Sequence, residues 1–368
     1  RMQTLCNTFR GNPSSNYFEC VPKLMDHSND FSAEDSQSKI AFRADANQTI
    51  GAGHLMRCLA LAKAARDLNV ESEFLLGETD ENWSALVRDS GFQVRWIDPL
   101  VDAEETASFA NSHQADWIVV DGYDFDGDYF TKLKEGSHFM VLAIDDCFDR
   151  GVLPVDVVLN GNPYANESHY PDYHEEVLLF TGSEYSPLSP EFAASRKRAA
   201  TQTNDSPKIL ITFGGTQSDA VVIEALDALV DAGVKGNVLV MGKFTATDEK
   251  IAGYIPNLSI EKRAFSDHIV EIMIDSDFAI CGGGSTSLQL ACLGVPCIAL
   301  PIAENQTMLI KYLEGKGAIA TPMGSRLSLA DTVTQLMDPT RMREMSVAGS
   351  SLIDGLGSER IIRRLFQL

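Results

Sequence analysis

KIAFRADANQTIGAGHLMRCLALAKAARDL, residues 39–68, holds a strand, a glycine-bearing loop and a helix in immediate succession. The segment Lys39–Ala44, KIAFRA, predicts a short strand. In His54–Leu68 the apolar side chains of Leu55 and Leu59 recur at helical spacing, which predicts a helix with one buried face. A strand that passes through such a loop into a helix is the repeating unit of an α/β sheet.

The same alternation of strands and helices continues along the chain. The run Trp117–Asp121, WIVVD, is apolar up to its last residue, as in strands that parallel sheets bury on both faces. We therefore predict parallel sheets covered by helices on both sides. Further strands are predicted at Glu73–Leu76, Gln93–Trp96, Met140–Ile144, Val155–Leu159, Lys208–Phe213, Asn237–Met241, Phe278–Cys281 and Cys297–Leu300, and helices at Ala220–Ala232, at Leu288–Leu293 and from Thr307 to the end.

The chain divides into two α/β halves. Residues 1–38 are polar and have no sustained period, so we interpret them as a poorly ordered extension, or as a linker from a larger multifunctional polypeptide. The halves are residues 39–185 and 208–368, and the proline-bearing stretch 186–207 is predicted to link them. We predict two Rossmann-like domains, with ligands in the cleft between them at the carboxyl ends of the strands.

Composition narrows the classes of function. The 368 residues include 30 Lys and Arg against 52 Asp and Glu, a formal net charge of -22, so most of the surface repels nucleic-acid phosphates. No apolar run reaches the roughly 18–20 residues that span a bilayer. The seven cysteines form no CxxC pair, which indicates reduced thiols and a cytoplasmic protein. We expect a small-molecule substrate, with no nucleic-acid or membrane partner.

Three glycine-bearing loops each lead from a predicted strand toward a helix. They are TIGAGH at Thr49–His54, FGGT at Phe213–Thr216 and GGGST at Gly282–Thr286. Glycine lets a ligand approach the backbone, and the helix that follows offers free N–H groups and a partial positive charge. None is a Walker A sequence or a complete G-x-G-x-x-G with its acidic partner. Three loops at equivalent places favour a ligand that carries phosphate, such as a nucleotide.

His54 is the single residue that points most clearly to catalysis, because it follows Gly51-Ala52-Gly53 at a helix start. The positive end of the helix dipole disfavours the imidazolium form, so a neutral imidazole there could accept a proton. The alternative interpretation is a histidine that only caps the helix or packs against it.

Two acidic runs, Asp121–Asp128 and Asp145–Asp149, raise the question of a metal site. The first run matches part of the calcium-loop spacing, but Tyr129 stands where that loop needs glycine. We therefore interpret these carboxylates as solvated groups at strand ends. Neither a metal nor a cofactor is expected.

One motif carries a family resemblance: FRAD at Phe42–Asp45, followed by IGAGHLMRC at Ile50–Cys58. It resembles the opening of the PseG family, UDP-2,4-diacetamido-2,4,6-trideoxy-β-L-altropyranose hydrolases of pseudaminic acid biosynthesis, which are related to SpsG proteins. The glycine loops are shared with the wider group of MurG-type GT-B glycosyltransferases. Later matching segments are Asp121–Tyr123, Ile144–Asp146, Leu159–Ala165, Leu188–Phe192, Phe213–Thr216, Gly283–Thr286 and Glu304–Gln306.

The resemblance implies a GT-B-like α/β fold, with UDP held mainly by the C-terminal half and the sugar in the cleft. It also implies release of UDP without metal, by water attack with inversion at the anomeric carbon. His54 matches the family's catalytic base, and Tyr123 and Asn305 match supporting positions of its active site. Substrate-binding residues are expected at Arg43, Asp45, Gly53, Asn160, Gly214, Gly215, Thr216, Gly284, Ser285, Thr286, Gln289 and Gln306.

The sequence departs from the family at two positions. Gln289 stands where the family usually has Glu, and Ser189 stands where it often has Arg. A glutamate there would accept hydrogen bonds from the ribose of UDP, and a neutral amide accepts weaker ones. We therefore expect Gln289→Glu to tighten UDP binding about five-fold.

Two other functions fit the same residues. A GT-B glycosyltransferase would pass the sugar of a UDP-sugar to an acceptor hydroxyl and would also need a base near the anomeric carbon. A hydrolase differs from it in releasing UDP with water alone. A non-catalytic UDP-sugar-binding module would bind the ligand without turnover.

Overall fold

The computed structural model describes residues 37–196, 206–254, 256–265 and 268–368, without the side chains of Thr216 and Asp248. The predicted extension 1–38 lies outside these ranges except for its last two residues. Residues 197–205 of the predicted linker lie outside them as well.

The N-terminal sheet consists of β1 (Lys39–Ala44), β2 (Glu71–Leu76), β3 (Gln93–Trp96), β4 (Trp117–Asp121), β5 (Met140–Ile144), β6 (Val157–Asn160) and β7 (Leu178–Thr181). Its order is β3-β2-β1-β4-β5-β6-β7, and every pairing is parallel. β1 and β4 pair in register up to Ala44 and Asp121. Asp121 therefore ends its strand beside the point where the first glycine loop begins.

The C-terminal sheet consists of β8 (Lys208–Thr212), β9 (Gly236–Met241), β10 (Leu258–Arg263), β11 (Phe278–Gly282) and β12 (Cys297–Leu300). Its order is β10-β9-β8-β11-β12, again entirely parallel. Each predicted strand is present, with its ends within two residues of the prediction. The predicted α/β class with two parallel sheets is confirmed.

Helices cover the faces of both sheets, as parallel crossovers require. In the N-terminal half they are α1 (Gly53–Asp67), α2 (Glu81–Asp89), α3 (Asp102–His113) and α4 (Gly127–Lys134). In the linker lies α5 (Pro190–Ser195), whose Phe192 packs in a buried cluster of the C-terminal half. In the C-terminal half they are α6 (Asp219–Asp231), α7 (Asp248–Ala252), α8 (Ile269–Ile274), α9 (Ser285–Leu293), α10 (Thr307–Gly315), α11 (Leu329–Leu336), α12 (Pro339–Leu352) and α13 (Gly357–Phe366).

The last helix crosses back to the N-terminal sheet. Ile361, Ile362 and Leu365 of α13 pack in the same buried cluster as Phe42 of β1 and Leu55 of α1. This packing covers the outer side of α1, which is why α1 is apolar nearly all round rather than on the single face that its sequence suggested. The predicted domain 208–368 does not anticipate this return of the chain.

No helix in the described ranges is both long enough and apolar enough to cross a bilayer.

Candidate active site

A cleft that is open to solvent and has a volume of about 230 Å³ separates the carboxyl edges of the two sheets. Loops that follow β1, β4, β5 and β6 line one wall, and loops that follow β8, β11 and β12 line the other. The carboxyl edge is where open parallel sheets bind ligands. The predicted cleft between two parallel sheets is therefore present.

His54 lies in the first turn of α1 and contributes to the cleft wall. Only 4% of its surface is exposed. Its Nδ1 is 2.7 Å from Oδ1 of Asp121, the last residue of β4. The parallel pairing of β1 with β4 brings the start of α1 and the end of β4 together, although 67 positions separate the two residues in the chain.

Arg57 lies one turn beyond His54 on the same side of α1. Its guanidinium donates two hydrogen bonds of 2.8 Å to Asp121, from Nε to Oδ2 and from Nη2 to Oδ1. Its Nη1 donates to Oδ2 of Asp146 at 2.5 Å. One guanidinium therefore pairs with two carboxylates, and its contact with Asp121 has the bidentate geometry that arginine favours.

The ion pair fixes which nitrogen of His54 carries the proton. Burial alone would raise the pKa of Asp121, but the Arg57 charge and the interaction with His54 hold it well below its usual range. The ionised carboxylate only accepts hydrogen bonds, so Nδ1 of His54 must donate to it. Nη2 of Arg57 also lies 3.0 Å from Nδ1, but both of these nitrogens are donors, and the carboxylate takes both hydrogens. In a neutral imidazole the lone pair is then on Nε2.

Tyr123 and Asn305 connect the two walls. Nδ2 of Asn305 donates to the Tyr123 hydroxyl at 2.8 Å, and the Tyr123 ring stands edge-on to the His54 ring with 4.6 Å between centroids. The Tyr123 hydroxyl also lies 3.4 Å from Oδ2 of Asp146. Burial and the Asp146 charge raise the pKa of this hydroxyl well above its usual value. It is therefore a protonated donor at neutral pH.

The C-terminal wall offers backbone amides instead of cations. α9 begins without a capping side chain, so the first N–H groups of the helix, at Ser285 and Thr286, have no acceptor within it. Both residues line the cleft. Among the described lining residues Arg57 is the only Lys or Arg, and two carboxylates already balance its charge. An anionic ligand would therefore be held by amide dipoles.

Two positions of the second loop need glycine, each for a different structural reason. Gly214 has a φ of +72°, a left-handed backbone conformation that residues other than glycine rarely adopt. At Gly215 an added Cβ would lie 3.2 Å from the backbone nitrogen of Ala52 on the opposite wall. This loop thus needs glycine both for its turn and for the close approach of the two walls.

The structure brings most of the predicted site residues to this cleft. Their roles in binding and catalysis stay predictions. The predicted residues that line it are Gly53, His54, Tyr123, Gly214, Gly215, Gly284, Ser285, Thr286, Asn305 and Gln306.

Arg43 and Asp45 lie behind the wall rather than in it. Arg43 is 2% exposed, and its guanidinium pairs with Asp45 at 2.7 Å and with Asp102 at 2.5 Å. Asp45 accepts hydrogen bonds from the backbone nitrogens of Gly77 and Glu78. Their contacts are therefore within the protein and support the loop that precedes α1.

Three further predicted residues are not placed on the wall. Asn160 is completely buried and donates to the Tyr170 hydroxyl at 3.0 Å. Gln289 lies in the second turn of α9, outside the residues that line the cleft. The side chain of Thr216 is outside the described part of the structure.

The interpretation of the strand-end carboxylates as solvated is wrong for two of them. Asp121 is 1% exposed and Asp145 is 5% exposed. Asp121 pairs with Arg57, and Asp145 pairs with Arg150 at 3.2 Å and accepts from Tyr170 at 3.0 Å. Buried carboxylates need such partners. Within the described ranges, no group of three or more His, Cys, Asp or Glu side chains is placed to hold a metal ion.

Sequence reasoning assigned no role to Arg57, Asp146 or Asn162, which all line the cleft. One signal could have indicated Arg57: it follows His54 by three positions in the predicted helix, a spacing that puts both on one face. Asp146 and Asn162 each stand two positions after the last residue of a buried strand. That position is the one at which parallel sheets present functional groups.

Three relatives show which proteins the chain is similar to, whereas no protein-family model matches it. The chain is 25% identical over 278 residues to an uncharacterized protein of Methanocaldococcus jannaschii, covering 73% of this chain and 56% of the relative. It is 24% identical over 337 residues to the spore coat polysaccharide biosynthesis protein SpsG of Bacillus subtilis, covering 86% and 95%. It is 23% identical over 288 residues to the UDP-2,4-diacetamido-2,4,6-trideoxy-beta-L-altropyranose hydrolase of Campylobacter jejuni, covering 76% and 97%. These relatives support a distant relationship to SpsG-like and PseG-like proteins.

Solved structures identify the fold. MurG of Acinetobacter baumannii superposes with a TM-score of 0.64 at 18% identity, over 90% of this chain and all of that chain. MnaA of S. aureus, solved with UDP, superposes with a TM-score of 0.59 at 13% identity, over 89% of this chain and 96% of that chain. At these identities the likeness concerns the fold alone. The predicted GT-B-like architecture is confirmed.

Proposed function

We propose that the protein is a nucleotide-sugar hydrolase that releases UDP from UDP-2,4-diacetamido-2,4,6-trideoxy-β-L-altropyranose by water attack at the anomeric carbon. The single observation that carries the proposal is the pairing of His54 with the buried Asp121–Arg57 ion pair, across the cleft from the uncapped start of α9. The name of the Campylobacter jejuni relative, at 23% identity, supports the same substrate, and the name of the Bacillus subtilis relative supports a role in polysaccharide biosynthesis.

The reaction needs a base for water and stabilisation of the leaving group. In the proposed step Nε2 of His54 removes a proton from water while the water oxygen bonds to the anomeric carbon. The bond from that carbon to the phosphate oxygen breaks, and its electron pair stays on UDP. Positioned proton transfer of this kind contributes about 10²–10⁴-fold. The amides of Ser285 and Thr286 would stabilise the departing diphosphate.

The direct test is UDP release by the purified chain from the proposed UDP-sugar in buffer without any acceptor alcohol. We expect UDP and free sugar in equal amounts. Turnover that starts only after an acceptor is added would instead favour a glycosyltransferase, and binding without turnover would favour a non-catalytic module.

UDP release should not depend on a divalent metal. The diphosphate is proposed to meet amide dipoles at the start of α9, and these require no bridging cation. Treatment with EDTA should leave the rate unchanged, and added Mg²⁺ or Mn²⁺ should not raise it. Loss of activity in EDTA that a metal restores would show that carboxylates such as Asp146 hold a catalytic ion.

Tyr123→Phe should have a moderate effect. The variant keeps the ring against His54 and loses only the hydroxyl contacts with Asn305 and Asp146. We expect KM to rise by less than about ten-fold with kcat nearly unchanged, because the contact with Asn305 is a neutral hydrogen bond and the contact with Asp146 is long, at 3.4 Å.

The matched control for this measurement is Tyr254→Phe, which removes a hydroxyl contact with Asp227 outside the cleft. It should leave KM and kcat unchanged. A hundred-fold loss of kcat in Tyr123→Phe would contradict the assignment, because the hydroxyl would then take part in the chemical step.

A further inference from the structure

Asn162 presents its side-chain oxygen on the N-terminal wall of the cleft, and its neighbours fix this orientation. Its Nδ2 lies 2.9 Å from Oδ1 of Asn160 and 3.1 Å from Oδ1 of Asp146. The Asn160 atom also receives the backbone N–H of Asn162 at 3.2 Å. A backbone N–H only donates, so that atom must be oxygen. Both neighbours of the Asn162 amide nitrogen are therefore acceptors.

The remaining atom of the amide is an acceptor without a hydrogen-bond donor in the described part of the protein. Both hydrogens on Nδ2 of Asn162 are engaged, so Oδ1 is the group left for a ligand. Within the described ranges no donor lies at hydrogen-bond distance from it. The Asp146 carboxylate beside it also lines the cleft and has capacity beyond its bonds to Arg57, Tyr123 and Asn162. This part of the wall accepts hydrogen bonds.

The backbone that holds Asn162 is tightly packed. At Gly161 an added Cβ would lie 2.4 Å from the carbonyl oxygen of Tyr185 and 2.8 Å from Cα of Ser186. The Ser186 hydroxyl donates to the Gly161 carbonyl at 2.5 Å. Behind it, the buried Asn160 is tied to Tyr170. The acceptor pair is therefore held in place before any ligand arrives, as a specificity contact requires.

We propose that Asn162 Oδ1 and the Asp146 carboxylate select the sugar by accepting hydrogen bonds from its N–H or O–H groups. This inference rests on the proposed UDP-sugar function and adds the residues that recognise the glycosyl part. Each acetamido group of the proposed substrate carries one N–H donor, which is complementary to this wall. A sugar that carries a carboxylate would instead place a like charge next to Asp146 and lack a donor there.

The test compares ligands with and without the sugar. In the full-length His54→Asn background, which suppresses turnover, calorimetry gives Kd for UDP and for the diacetamido UDP-sugar. Asn162→Leu should weaken binding of the UDP-sugar at least about ten-fold, as loss of a charge-assisted or buried hydrogen-bond site does. Its Kd for UDP should change less than about two-fold, because UDP is proposed to bind at the start of α9 on the opposite wall. Asn111→Leu, an exposed position on α3, is the matched control and should change neither value.

Changing the sugar identifies the partner group. Analogues of the UDP-sugar that lack one donor at a time are bound to the parent protein and to Asn162→Leu. The analogue that lacks the N–H or O–H group bound by Asn162 should have the same Kd for the parent protein and for Asn162→Leu, because neither complex then contains this hydrogen bond. If every analogue still loses affinity on substitution, the proposed contact does not exist.

Other outcomes would also overturn the proposal. Equal weakening of UDP and UDP-sugar by Asn162→Leu would mean a purely structural role, and an unchanged Kd for the UDP-sugar would mean no contact. A UDP-sugar that binds no more tightly than UDP to the parent protein would show that the wall contributes nothing. Failure of the wild-type chain to release UDP would contradict the hydrolase proposal alone, because these comparisons measure binding.

Discussion

His54→Asn should reduce the turnover of UDP-sugar by about 10²-fold or more while leaving the affinity for UDP nearly unchanged. Asparagine can still donate to Asp121, so the buried ion pair keeps its geometry, but it has no group that accepts a proton near neutral pH. UDP is proposed to bind on the opposite wall, at the start of α9. The loss should therefore appear in kcat rather than in KM.

The control for this variant is His174→Asn, an exposed histidine in the same half of the molecule. Steady-state UDP release and a UDP titration on both variants give the comparison. A His54→Asn protein that turns over at nearly the wild-type rate would exclude His54 as the base.

Asp121→Asn should also reduce turnover by about 10²-fold or more, because it would change which ring nitrogen of His54 carries the proton. An asparagine held by Arg57 through its oxygen would turn its NH₂ group toward Nδ1 of His54. Nδ1 must then accept, and the ring proton moves to Nε2, where a base needs a lone pair. Substitution at a carboxylate that never touches the substrate would thus remove the proton acceptor.

The same variant should be less stable. Asp121 is buried and paired with Arg57, and removal of one partner of a buried ion pair costs up to about 3 kcal/mol, less than the full penalty here because Asp146 still pairs with Arg57. The pKa of Asp121 is lower in the folded chain than in the unfolded one. Its contribution to the free energy of unfolding is therefore complete above about pH 4 and is lost as the pH falls through the lowered pKa.

Thermal unfolding from pH 8 to pH 3 checks this prediction. The difference between wild type and Asp121→Asn should be constant above about pH 4–5 and shrink in more acidic solution. Asp124→Asn, an exposed carboxylate three residues away, is the control and should unfold like the wild type. A difference that instead grows on acidification would contradict an ionised Asp121.

The elements that could be predicted from sequence are those with a strong local pattern. Continuous apolar runs such as Trp117–Asp121 predict buried central strands, and they are present. The two strands without a prediction, β7 and β10, are both at sheet edges. β10, LSIEKR, has mostly exposed residues after Leu258, so its sequence carries little of the burial pattern on which such predictions depend.

In the site, too, residues with a local sequence signal could be predicted, and residues that meet only in the folded chain could not. His54 stands out because glycines and a helix start surround it in the sequence. Arg57, Asp121 and Asp146 meet only after β1, β4 and β5 pair, since 64 and 89 positions separate the two carboxylates from Arg57. Burial of Asp121 depends on this meeting, which is why a strand-end aspartate in the sequence gives no sign that it is buried.

The position of the last helix, α13, is a second feature that depends on packing between segments far apart in the sequence. α13 packs on α1, although the two helices lie near opposite ends of the described sequence. Arg364 of α13 also lies over the Phe180 ring of β7, with 4.9 Å to the ring centroid. The amphipathic pattern of this helix predicts an apolar face but not which sheet that face covers.

Hydrolysis in ¹⁸O-labelled water tests the central claim most directly. The protein is incubated with the diacetamido UDP-sugar, EDTA and no acceptor, and the products are separated for mass spectrometry and NMR. We predict the label on the anomeric oxygen of an inverted sugar, with unlabelled UDP. Label in the nucleotide, or no UDP release until an acceptor alcohol is added, would contradict water attack at the anomeric carbon.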